Sequence, residues 1–212
     1  VYTYDAGNKL IKVDDPLGST EGFNNGSNIA IEYTYDDNGN MKTDANKGIT
    51  AIVYNHLNLP TDVTLAGGII HYDYDARGVK QRKVAGMITT DYAGGFQYEK
   101  TGTTETLKFF PTTEGYAENN SGTFSYIYQY KDHLGNVRLS YKEVGASLQI
   151  VEESNYYPFG IKQKVAGEII YQTGYKYKYN GKELQDEQGL NLYDYGARNY
   201  DPALGRWMNM DP

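Results

Sequence analysis

Cysteine is absent from these 212 residues, and histidine, tryptophan and proline are scarce at three, one and six. Without a thiol there is no disulfide scaffold, no thiolate metal site and no cysteine nucleophile. The redox compartment stays open, because exported proteins need not carry disulfides. No uninterrupted apolar run is long enough for a spanning helix, and mean hydropathy is −0.67, so no membrane span is expected. Twenty basic against 27 acidic residues leave a net charge of −7, which argues against a duplex nucleic acid partner, since phosphate neutralisation needs a basic footprint. Helix-forming stretches are nearly missing, and residues 181–187 are expected to supply at most one short turn.

What is abundant is tyrosine. Its 23 copies outnumber lysine and arginine together, and 24 glycines accompany them. A content of 14% aromatic residues is far above that of solvated, disordered chains. The composition points to an all-β, turn-rich chain. Val1-Tyr2-Thr3-Tyr4-Asp5 starts directly on alternation, with no basic or apolar leader, and Met210-Asp211-Pro212 has no capping composition. Both ends are expected to be cuts within a longer polypeptide.

A unit of the form aromatic-x-Tyr-Asp-x-x-Gly-x-hydrophobic recurs. It begins at Tyr2, Tyr33 and Tyr72, and a degenerate copy starts at Val53. From Tyr35 to Tyr54 is 19 residues and from Tyr54 to Tyr74 is 20. The interval of 31 from Tyr4 to Tyr35 reads as one unit enlarged by the polar insertion Gly22-Phe23-Asn24-Asn25-Gly26-Ser27-Asn28, within a stretch near residues 20–30. Tyr-x-Tyr places two rings on one face of a strand. Asp or Asn near a glycine or asparagine supplies the positive φ of a tight turn, and the carboxylate bonds backbone amides two residues on. Each unit is therefore expected to be a β-hairpin. Because a lone hairpin is marginal, the hairpins are expected to stack edge to edge into a coiling antiparallel sheet.

The Tyr-Asp units resemble the YD repeats of the RHS (rearrangement hotspot) and teneurin-like proteins. The last third resembles the RHS-repeat-associated core, through Tyr130-Lys131-Asp132-His133-Leu134-Gly135-Asn136-Val137-Arg138, Asn155-Tyr156-Tyr157-Pro158-Phe159-Gly160 and Tyr179-Asn180-Gly181-Lys182-Glu183-Leu184. Gly189-Leu190-Asn191-Leu192-Tyr193-Asp194-Tyr195-Gly196-Ala197-Arg198 and Tyr200-Asp201-Pro202-Ala203-Leu204-Gly205-Arg206-Trp207 continue it in the family's order. The resemblance divides the chain into YD repeats at 1–115 and core at 116–212, the core truncated at its C-terminus. It implies stacked hairpins forming part of a spiralling hollow β-shell, a cocoon around a C-terminal toxin or effector. It also implies a secreted or cell-surface location in a polymorphic-toxin setting, with the rest of the shell, the cargo and secretion machinery as partners. In many members two aspartates in two Asp-Pro-x-Gly motifs release the cargo. Asp211-Pro212 stands where the first motif begins, so Asp211 is the catalytic candidate, and the second aspartate is not in this chain.

Each constellation also has a plain structural reading. Asp201-Pro202 favours a turn over half of a carboxylate pair with Asp211. Asp132-His133 lacks a nucleophile elbow and reads as a hairpin turn. Asp36-Asp37-Asn38-Gly39-Asn40 superficially has the oxygens of a calcium loop, but Lys47 stands where the closing acid belongs. No metal or cofactor is expected. Tyr193, Tyr195, Gly196, Arg198, Tyr200, Asp201, Pro202, Gly205, Arg206 and Trp207 are expected to form the structural core, with Arg198 and Arg206 stapled to rings and to Asp194 or Asp201. Tyrosine ladders contribute roughly 0.2–1 kcal/mol per cross-strand pair and also suit sugar faces. The leading expectation is a non-enzymatic shell segment. Adhesion, with the repeats binding surface glycan or a partner protein, and an aspartyl self-protease are the rivals.

Overall fold

The computed structural model describes residues 1–18, 22–163 and 174–211. Residues 20 and 21 of the expected insertion, and Pro212 of the Asp-Pro step, lie outside them. The fold is all-β and antiparallel. Two compact units divide it: residues 1–86 with 185–212, and residues 87–184. This division by packing stands beside the division at 115/116, which is one of motif kinship.

In the first unit, β1 (Tyr2–Tyr4) and β2 (Leu10–Val13) form a hairpin. Six strands then pair in sequence order: β3 (Tyr33–Tyr35), β4 (Met41–Asp44), β5 (Ile49–Tyr54), β6 (Pro60–Leu65), β7 (Gly68–Tyr74) and β8 (Lys80–Ala85). Seven do so in the second unit: β9 (Ile88–Ala93), β10 (Phe96–Thr101), β11 (Thr104–Thr112), β12 (Gly115–Asn120), β13 (Thr123–Lys131), β14 (Val137–Val144) and β15 (Ser147–Glu153). After β16 (Glu183–Gln185), a short meander of β17 (Leu192–Asp194), β18 (Asn199–Asp201) and β19 (Arg206–Trp207) completes the first unit. The stretch expected to make a short helical turn at 181–187 instead centres on a three-residue strand, between 3₁₀ turns at Tyr179–Gly181 and Glu187–Gly189. Glu183 and Gln185 are buried there and receive the hydroxyls of Tyr92 and Tyr72, contacts a helix would turn away.

One turn geometry recurs and explains the Asp. At Asp5, Asp36, Asn55, Asp75 and Asp132, the backbone N–H donates to the carbonyl four residues on, and the N–H of the fourth residue of the turn donates back to the first residue's carbonyl. The first residue's Oδ1 also accepts the N–H four residues on at 2.8–3.1 Å. The fourth residue has positive φ in all five turns: Asn8 62°, Gly39 85°, Asn58 57°, Gly78 80° and Gly135 79°. Asparagine and glycine are the residues that tolerate this. The pairing shifts register at the residue entering each turn. The Asp132-His133 segment takes this same geometry.

The tyrosines have a matching regularity. Tyr35 donates its hydroxyl to the Leu10 carbonyl, Tyr54 to Met41, Tyr74 to Pro60 and Tyr156 to Val137, at 2.7–3.1 Å. Each donor directly precedes a turn, and each acceptor lies five residues beyond the first residue of an earlier turn. A ring fills the face while its hydroxyl satisfies a carbonyl of the preceding unit, something phenylalanine cannot do.

The first unit buries Leu10, Ile49, Val63 and Ile70 with Tyr33 and Tyr72, closed by Leu190, Leu192, Leu204 and Met208 from the C-terminal segment. Phe23 of the insertion packs against this core. The second unit buries Phe109, Tyr116, Ile127, Val151 and Tyr175.

Candidate functional site

The closing meander gathers the residues singled out in the sequence. Tyr193 is buried at the centre of β17, opposite Tyr200 of β18, and Tyr200 in turn pairs with Trp207 of β19. The rings of Tyr195, Tyr200 and Trp207 meet edge-on, with centroids 4.9–5.9 Å apart. Gly196, at φ 86°, turns the chain between β17 and β18 and donates its N–H to Asp194 Oδ1 at 2.7 Å. Asp201 ends β18 and accepts the N–H of Ala203 and of Leu204, so Asp201-Pro202 opens a turn that runs through Gly205 into β19.

The arginines stack as expected but take other polar partners. Arg198 lies 4.2 Å over the Trp207 ring and 3.2 Å from Asp211. Arg206 lies 5.1 Å over the Tyr4 ring and donates to its hydroxyl at 2.8 Å. Neither reaches Asp194 or Asp201 through a direct ion pair among the described residues, because lysines hold those carboxylates. Lys80 Nζ sits 2.5 Å from Asp194 and Lys47 Nζ 3.4 Å from Asp201. Asp211 has a side chain 80% exposed, whereas Asp201 is buried, so the two aspartates face different cations and different solvation.

Behind β18 lies a buried polar group that the sequence did not reveal. Glu32, Asp44 and Asp201 are each at most 2% exposed. Asp44 Oδ1 accepts the N–H of Asn46 at 2.9 Å and of Lys47 at 3.1 Å. Glu32 Oε2 accepts Val13 N–H at 3.0 Å and Asn46 Nδ2 at 2.9 Å, while Glu32 Oε1 is buried with no hydrogen-bond partner among the described residues. Asn46 Nδ2 also reaches the Tyr33 hydroxyl at 3.0 Å. Burial pushes the Asp44 carboxyl up to about 6; Lys47 and the two amides oppose this, and the Asp201 charge adds to it. Burial likewise pushes the Tyr33 phenol up. The sequence carries no sign that these acids, from separate segments, share a buried space.

Elsewhere, both Asp132 oxygens are engaged by Leu134, Asn136 and the Asn136 amide rather than orienting His133. His71 is held between Asp62 at 2.7 Å and Asp73 at 3.2 Å, and these carboxylates raise its pKa against the effect of burial. Among the described residues no group of three or more His, Asp or Glu side chains is arranged to hold a metal ion. The second unit presents an exposed aromatic row: Phe124, Tyr126, Tyr128 and Tyr130 alternate along one face of β13, each 40–62% exposed. Tyr141 on β14 stacks between Tyr128 and Tyr130 at 5.5 Å from each.

These features define a class: an all-β chain of identically built Asp or Asn turns, stapled by tyrosine hydroxyls and closed by an aromatic-arginine meander. No family model matches the chain. It is 39% identical over 71 residues to toxin subunit YenC2 of Yersinia entomophaga, which covers 33% of this chain and 7% of that protein. It is 26% identical over 201 residues to salivary gland surface protein 1 of Aedes aegypti, covering 84% of this chain and 6% of that one. The crystal structure of TcdB2-TccC3 superposes with a TM-score of 0.68 at 21% identity, covering 84% of this chain and 10% of that one, which shows a shared fold. The chain thus spans a small fraction of the proteins it matches.

Proposed function

We propose that this chain is a non-catalytic wall segment of a secreted RHS protein, with repeats at 1–115 and core at 116–212, whose β-shell encloses and presents a C-terminal toxin or effector. The observation that carries this reading is the repeated turn with its tyrosine staple. It binds successive Tyr-Asp hairpins of the repeats to one another, and recurs at Tyr156, so that a unit of this kind leaves the next the same acceptor carbonyl. The likeness to YenC2 and to the TcdB2-TccC3 fold supports a toxin-complex setting; the partners this reading implies are the remaining shell, its cargo and secretion machinery. Limited proteolysis of the full-length parent tests it. The cargo should resist cleavage inside the parent and be cut readily when isolated; equal cutting in both overturns the enclosure.

Two further readings have an observation each. The exposed rings of β13 favour adhesion to surface glycan, since a ring that is dry on its face and wet at its hydroxyl suits a sugar. A glycan array with the intact parent that returns no binding removes it. Self-cleavage rests on Asp211, exposed and paired with Arg198 where a reacting carboxylate is accessible. Asp211→Asn in the parent should block cargo release, and unchanged processing takes Asp211 out of the reaction.

A further inference from the structure

The buried group behind β18 has more negative charge than its surroundings neutralise. Three buried carboxylates from separate parts of the first unit surround the Tyr33 phenol: Glu32 ahead of β3, Asp44 at the end of β4, and Asp201 at the end of β18. Facing them are Lys47 from the turn after β4, with Asn46 beside it, and the Tyr33 phenol from β3. Among the described residues Lys47 is the ammonium in contact with this group, and Glu32 Oε1 is left without a partner. Buried charge in such excess is reduced by taking up a proton.

We propose that Asp44 is a proton-operated latch within this group: a proton taken up at Asp44 lowers the buried charge beside Glu32 and Asp201 and fixes the closing strands β18 and β19 onto the repeats, so the first unit holds more firmly in acid than at neutral pH. The same seam between the repeats and the closing strands is tied by the Met41 N–H donating to the Met208 carbonyl at 2.8 Å and by the Lys47–Asp201 pair. Protonated Asp44 keeps Oδ1 as an acceptor for Asn46 and Lys47, so proton uptake removes charge without breaking the turn. The direction follows from linkage. The folded Asp44 carboxyl titrates at about 6, above its value in an opened chain near 4, so the stabilisation is complete below about pH 4 and is lost as pH rises through 6. The latch goes beyond the wall reading and does not depend on what the wall encloses.

The test uses the full 212-residue chain. Its unfolding midpoint should rise by roughly 2–4 °C or more between pH 7.5 and 5. Protection of the Met41 and Met208 amides against hydrogen exchange should rise by about tenfold or more, each pKa unit being a factor of ten. Asp44→Asn should flatten both profiles, with the acid-level midpoint already present at pH 7.5. Lys47→Met, which removes the opposing ammonium, should move the rise to higher pH. His71 also favours the folded state in acid, but it is common to both chains, so the wild-type-minus-Asp44→Asn difference isolates the latch. Parallel profiles for wild type and Asp44→Asn overturn the proposal. If Asp44→Asn fails to fold, the Asp44 carboxyl carbon followed by NMR in the wild type decides: a midpoint near 6 supports the latch, and one near 4 overturns it.

Discussion

The two units are built from one kind of ladder and covered in two different ways. In the first, the repeats bury an aliphatic core beneath Leu190, Leu192, Leu204 and Met208, and Lys80–Asp194 and Lys83–Glu187 seat the same segment at its rim. In the second, the core is mainly aromatic. Tyr175 stacks on Tyr116 at 3.8 Å and 4°, with Phe109 edge-on at 5.0 Å, and a buried ion pair joins Lys178 to Glu152. Burial works against that carboxylate, yet Lys178 and Lys162 hold Glu152 below its usual range. The difference teaches that the turn-and-staple frame does not prescribe its own cover. Aliphatic side chains close one unit, while ring stacking and a desolvated charge pair close the other.

The largest expected effect breaks the comparison on the aromatic side. Glu152→Gln leaves Lys178 charged and buried, and should cost about 3–5 kcal/mol in chemical denaturation, with Lys178→Met restoring much of it in the double variant. A loss below 1 kcal/mol would mean that the second unit does not depend on its ion pair. On the aliphatic side, Ile70→Ala, at a position with no exposure, should cost about 2–5 kcal/mol through the cavity it leaves.

The staple common to both units predicts a smaller effect, similar in each. Tyr54→Phe and Tyr156→Phe should each cost about 1–3 kcal/mol by leaving the Met41 and Val137 carbonyls unpaired. If only one of the two is destabilised, the frame is not shared. The smallest effect sharpens the account of the second core. A double-mutant cycle on Tyr116→Leu and Tyr175→Leu should give a coupling of about 0.5–1.5 kcal/mol beyond the loss of area.

Much of the frame is legible in the sequence. The Asp5, Asp36, Asn55 and Asp75 turns follow from a period that places a carboxylate or amide ahead of Gly or Asn, because local hydrogen bonds decide a turn. The closing meander was equally legible in Tyr195, Arg198, Tyr200 and Trp207, whose short spacings bring the rings within reach of one another once β17 to β19 fold back. Which cation meets which carboxylate was not legible. Arg198 was expected at Asp194 or Asp201 and instead meets Asp211, since Lys80 from β8 and Lys47 from the turn after β4 arrive from more than a hundred residues earlier. The tyrosine staple was only half legible: the donor's position is periodic, but its acceptor is a backbone carbonyl that every residue possesses.

The sequence by itself determined the strands, the turns and the reason for so much tyrosine near them, since these are settled over a few residues by side-chain alternation, positive φ and an Asp or Asn oxygen. Only the tertiary structure decided the burial of Glu32, Asp44 and Asp201 beside one lysine, and the choice of aliphatic cover for one unit and aromatic cover for the other. Those depend on which distant segments share a desolvated space. Coulombic and packing energies are set by that proximity in space, and position along the chain does not encode it.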